Sequence, residues 1–342
     1  MMSRTIFAAA HVVADADDAS KLDWDATLAF RRHLWQQGLG VAEAMDTAQR
    51  GMGLDWPIAA ELIRRSAADA QADGGLIACG AGTDQLTVPP TGLDEVIAAY
   101  TEQLSVVEGV GAQPILMASR QLAAIARDAD DYHEVYGWLL GQLSGKAILH
   151  WLGPMFDPAL AGYWGSEDLD AATETFLSVI EANADHVDGV KISLLDADRE
   201  IALRRRLPEG VRCYTGDDFN YPRLIAGDEH GHSDALLGVF DPLATVAGRA
   251  MSFLDAGDTE GFLAELEPTV PLARHVFEAP TRFYKTGVVF LAWLAGYQDH
   301  FTMLGGLETA RSHEHLLRCH ELAAELDLFA DPELAAKRAA LL

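Results

Sequence analysis

Residues 186–196 read HVDGVKISLLD, an apolar run with a single cation, Lys191, near its middle. The apolar residues around Lys191 fit a strand buried on both faces, as in a parallel sheet covered by helices. An ammonium held away from water is costly unless it is paired, neutralised or reactive. Burial also lowers a lysine's pKa, which frees the amine for attack on a carbonyl carbon. The plainer alternative is a strand-end lysine whose head reaches solvent or an ion pair.

Outward from this run the same grammar repeats. Short apolar runs occur at TIFAAAHVV (5–13), GVAEAM (40–45), GLIACG (75–80), QPILMAS (113–119), KAILHWL (146–152), VRCYTG (211–216) and DALLGVF (234–240). With VDGVKIS (187–193) they make eight. Helical patterns separate them, the first at 23–38, where Asp23 is placed to cap and Leu28, Phe30, Leu34 and Trp35 form an apolar face. Others occupy about 56–73, 91–108, 131–144 and 168–185. Regular alternation of this kind implies right-handed βαβ units, and eight short strands predict a closed (β/α)8 TIM barrel. An open doubly wound sheet is the alternative, but no GxGxxG follows the first strand, and GAGTD (80–84) is a lone glycine-rich turn. After residue 242 the pattern is helical only, at 242–256, 258–276, 280–297 and 313–342. The expected organisation is therefore a barrel over 1–257 with a helical extension, 258–342, packed on it.

Composition narrows the class. The 342 residues are 49% hydrophobic and 23% charged, which suits a folded domain with a sizeable core. The formal net charge of −27 argues against binding nucleic acid or an anionic membrane surface. Cys79, Cys213 and Cys319 show no CxxC pairing, so neither a disulfide framework nor a zinc ribbon is indicated, and a cytoplasmic location fits. The N-terminal stretch turns acidic too early for a signal peptide, and no run is long enough to span a membrane.

In such a barrel chemistry gathers at the C-terminal ends of the strands. That rule selects Asp46 and Thr47, Ser119 and Arg120, His150 and Trp151, Lys191 and Ser193, and Thr215, Gly216, Asp217 and Asp218. His150 and Lys191 fall on neighbouring strands about 5 Å apart, a proton-transfer group beside an amine. His150 is equally readable as a core histidine bonded to backbone, and Arg120 as a rim arginine paired with a surface acid. His230 and His232, in GDEHGHSD (227–234), have the spacing of a metal pair but enter the eighth strand from the end opposite the active site, so a solvated loop is expected.

The chain resembles the dihydrodipicolinate synthase and N-acetylneuraminate lyase superfamily of Schiff-base aldolases, as a divergent branch. GVKIS (189–193) resembles the strand-six motif that carries the imine-forming lysine, and TGDD (215–218) the run after strand seven. The stretches 22–45, 76–86 and 285–306 are similar to the first helix and second strand, the third strand with its loop, and the C-terminal helix with its turn. Three departures stand out. His150 lies where the family presents a tyrosine, Thr47 alone remains of a threonine pair, with Asp46 beside it, and ASRQ (118–121) replaces an aromatic run.

The resemblance implies a class I aldolase or lyase acting on a small carbonyl compound, a 2-oxo acid or sugar-derived acid, by cleavage, addition or dehydration. Lys191 and His150 would be catalytic, and Thr47, Arg120, Ser193, Gly216 and Asp217 would bind substrate. No cofactor and no metal are expected, and a homodimer or homotetramer is. The alternatives are a metal-dependent sugar isomerase or epimerase on the same barrel, and a catalytically silent ligand-binding barrel.

Overall fold

The computed structural model describes residues 4–342. Eight parallel strands close in sequence order: β1 (Ile6–Ala9), β2 (Gly40–Glu43), β3 (Ile77–Ala81), β4 (Gln113–Leu116), β5 (Ala147–Leu152), β6 (Val187–Ser193), β7 (Arg212–Thr215) and β8 (Asp234–Leu237), with β8 returning to β1. Each coincides with one of the eight apolar runs. Most strands are shorter than their runs, and residues such as Ala10, Val12 and Val13 stay buried beyond the paired segment.

Alternation along the strands separates two cores. Phe7, Ala9, Ala42, Ala78, Ile115, Ile148, Tyr214 and Leu236 fill the barrel, whereas Ile6, Ala8, Val41, Leu149, Val190 and Ile192 pack outward against helices. A period of two is what a pleated strand imposes. Lys191 lies between the outward-facing Val190 and Ile192, so its side chain belongs to the inner face.

The helices start where the sequence supplies caps. Asp23 accepts from the Ala26 N–H at the head of helix Trp24–Gln36, and Asp55 does so from Ile58 ahead of Trp56–Asp73. Each such cap contributes about 1 kcal/mol. The C-terminal segment is more broken than its periodicity suggests. The expected helix 258–276 divides into Thr259–Leu266 and Val270–Val276 around Pro268 and Pro271, and 313–342 divides into His313–Glu325 and Pro332–Ala339. Proline lacks the N–H an interior helical turn needs. Helix Tyr284–Leu294 is buried along its whole length.

Candidate active site

β5 and β6 pair in a register that sets His150 directly beside Lys191 and Leu152 beside Ser193. His150 Nε2 and Ser193 Oγ are 3.1 Å apart, while His150 Nδ1 is buried without a hydrogen-bond partner among the described residues. Burial, reinforced by the neighbouring Lys191 charge, holds the His150 pKa well below the ordinary range, so the imidazole is neutral. Neutral imidazole keeps one acceptor nitrogen and one donor.

Lys191 is 7% exposed, and its side chain enters no hydrogen bond among the described residues. Burial lowers its pKa, opposed by the charges of Asp46 and Asp218. Gly216 makes room for it. A Cβ on Gly216 would stand 2.2 Å from Ser193 Oγ and 2.9 Å from Lys191 Cε, too close for any other residue. The Gly216 N–H is tied to Ile192 O at 2.8 Å, which locks the start of the TGDD turn against β6.

Within that turn the two aspartates differ. Asp217 accepts from the backbone N–H groups of Phe219 and Asn220 and from Asn220 Nδ2, so its carboxylate is used by its own turn. Asp218 accepts from the Val239 N–H at 2.9 Å and faces Lys191; burial pushes its carboxyl up to about 7. Thr215 points outward, donating to Glu200 at 2.9 Å.

Thr47 Oγ1 lies 2.8 Å from the phenol oxygen of Tyr284. Burial and the nearby Asp46 charge raise the Tyr284 pKa well above its usual value, keeping the phenol protonated. Lys285 follows it, buried, donating to Arg282 O at 3.1 Å, with its pKa lowered by burial to about 8. Neither Tyr284 nor Lys285 was expected at the site. Their helix is buried throughout, and only folding brings Tyr284 onto Thr47 and Lys285 within range of the Asp46 charge.

A cleft of about 40 Å³ sits at the barrel mouth; Asp46, His150, Arg50, Thr83, Ser119 and Arg120 are among its walls. Arg120 is ion-paired with Asp157, and its side chain is 40% exposed. The aromatics after β5 divide: Phe156 packs against Tyr284, whereas Tyr163 and Trp164 are buried against Tyr132. His230 and His232 lie on the 227–233 loop leading into β8, where His230 is largely exposed. The three metal-type ligands that come together among the described residues are His275, His315 and Cys319, in the C-terminal helices.

Solved structures share this architecture. The chain is similar to dihydrodipicolinate synthase from Aquifex aeolicus, with a TM-score of 0.74 at 13% identity over 96% of this chain and 100% of that one. A putative dihydrodipicolinate synthetase from Pseudomonas aeruginosa gives 0.71 at 17%, over 94% and 99%. The dihydrodipicolinate synthase from Thermotoga maritima gives 0.71 at 14%, over 96% and 100%. No curated protein matches the chain in sequence. Identities this low establish a shared fold, a TIM barrel with C-terminal helices. By sequence, matched over residues 1–342, the chain belongs to the family described as protein of unknown function DUF993.

Proposed function

We infer that the protein is a class I aldolase or lyase that forms a Schiff base between Lys191 and a small carbonyl substrate. The observation that carries this reading is the Lys191 amine, buried at the end of β6 with no hydrogen-bond partner among the described residues, and flanked by His150, Asp218 and Asp46. A structural lysine would be paired; one left unpaired in a low-dielectric site is poised to lose its proton and attack.

In the chemistry this supports, the neutral amine adds its lone pair to the carbonyl carbon. A proton moves from nitrogen to oxygen, giving a carbinolamine. A second proton lets the hydroxyl leave as water, and the nitrogen lone pair closes the C=N bond. The resulting iminium then accepts the electron pair of an adjacent C–C or C–H bond as that bond breaks. Tyr284, held protonated and bonded to Thr47, is the nearby hydroxyl donor. Asp218, whose carboxyl is near 7, and His150 are placed to receive and return protons. Asp46 and Asp218 balance the positive charge of the iminium.

Borohydride reduction in the presence of small aldehydes and ketones tests the reading. A mass increment on the peptide containing Lys191 is the expected result; an increment on other lysines alone, or none across the panel, would overturn it.

A further inference from the structure

The walls of the cleft over His150, the register partner of Lys191, bear on which carbonyl compounds enter it. Arg50 is 3% exposed and spends all five of its N–H donors inside the protein. Nε and Nη2 bond to Asp84, Nη2 also to Gln103 Oε1 at 2.8 Å, and Nη1 to the carbonyls of Ala44 and Gly80 at 3.2 and 3.3 Å. The other guanidinium, Arg120, is ion-paired with Asp157 through Nε, its charge balanced there although its Nη groups carry no hydrogen bond among the described residues. Asp46, the third carboxylate of the lining, has no hydrogen-bond or ion-pair partner among the described residues and stands at the end of β2, facing Lys191. Three carboxylates thus face two guanidiniums that are already paired. The cation formed at Lys191 is balanced by Asp46 and Asp218, leaving the lining no spare positive charge for a second anion.

The neutral groups point the same way. Thr83 Oγ1 is 2.6 Å from Ser119 Oγ and donates to Gln121 Oε1 at 2.7 Å, while Gln121 Nε2 donates to Leu86 O at 3.0 Å. The protein's own acceptors take the Thr83 hydroxyl proton and one Gln121 N–H, so Thr83 and Ser119, with Asp46, present oxygen lone pairs to the cleft. A substrate carboxylate offers only further acceptors. Hydroxyl groups offer protons.

We propose that the site takes a neutral polyhydroxylated aldehyde or ketone, a sugar-like carbonyl compound, rather than a 2-oxo acid. Asp46, Thr83 and Ser119 select for it. The proposal rests on the imine reading only for where the carbonyl carbon lies, and the test separates the two.

Borohydride trapping is run on the full chain with pyruvate and 2-oxobutyrate as acids, and with dihydroxyacetone, erythrulose and fructose as neutral ketoses. Ligand-induced thermal shift is measured with the same compounds on the wild type and on Lys191→Met. The expected result is at least tenfold more adduct at Lys191 with a ketose than with either acid. Asp46→Asn should narrow that ratio severalfold by removing the charge that repels a carboxylate. Preferential trapping of an acid overturns the substrate class and leaves the imine intact. Stabilisation of both proteins by a ketose without any adduct supports the substrate class and overturns the imine. No ketose adduct and no ketose-induced shift in either protein overturns the substrate class.

Discussion

The end of β6 and the start of helix Tyr284–Leu294 each bury a lysine, and both lysines sense Asp46. They differ in company. Lys285 has a backbone carbonyl for its ammonium and lies off the cleft, which makes it a packed cation with one satisfied bond. Lys191 has charges nearby but no hydrogen bond among the described residues, and its register partner is a neutral histidine. Burial alone therefore does not mark a nucleophile. What distinguishes the two is whether the site solvates the ammonium or leaves the lone pair usable.

The largest expected effect lies at Lys191. Lys191→Met should remove the borohydride adduct completely, whereas Lys285→Met should retain it; loss of the adduct only in the second variant would reverse the assignment. Arg cannot take the place of this nucleophile, since a guanidinium stays protonated at any working pH.

A third buried cation shows what full pairing looks like. Arg31 is wholly buried and meets Glu43 through two bonds of 2.9 Å, with Glu43 held below the usual carboxylate range despite its burial. Removing one member of such a pair leaves an uncompensated charge, at a cost of about 3–5 kcal/mol. Arg31→Met should destabilise by that amount in urea or thermal unfolding. A change under about 1 kcal/mol would show that the pair contributes little.

Lys285 sharpens the contrast through pH. Its folded pKa, about 8, lies below the ordinary 10.5, so the folded state binds fewer protons than the unfolded one between those values. The stability cost of its charge is full below about 8 and is relieved as the pH rises towards 10.5. Lys285→Met should accordingly be more stable than wild type at pH 7, by up to roughly 3 kcal/mol. Thermal midpoints measured from pH 7 to 10 should converge; parallel curves would mean that the ammonium is not desolvated.

The smallest effect is at Ser193. Ser193→Ala removes the partner of His150 Nε2 without changing Lys191. A lost hydrogen bond of this kind amounts to about 1–2 kcal/mol, roughly a tenfold fall in trapping rate. An unchanged rate would take His150 out of the proton steps.

Much of the fold was legible in residue order. The aspartate cap at 23 and the spacing of eight apolar runs are local features, and local features survive in a linear text. The same holds for Lys191 beside His150, because parallel neighbours in a closed barrel follow sequence order. Other parts were not legible. Asp217 and Asp218 are adjacent and chemically identical, yet one caps a turn and the other faces the amine, a difference set by which carboxylate the turn orients inward. Tyr284 stands in an apolar helix whose pattern reports only burial.

The sequence by itself determined the barrel, the strand that carries Lys191 and the rim on which the site forms, since these depend on periodicity and chain order. Only the tertiary structure decided the lysine's surroundings: Tyr284 on Thr47, Asp218 rather than Asp217, and two guanidiniums already matched by carboxylates. Hydrogen-bond saturation is a property of atoms brought together from distant segments. It has no counterpart along the chain, and in this protein it is what separates a cleft that carries charge from one with charge to spare.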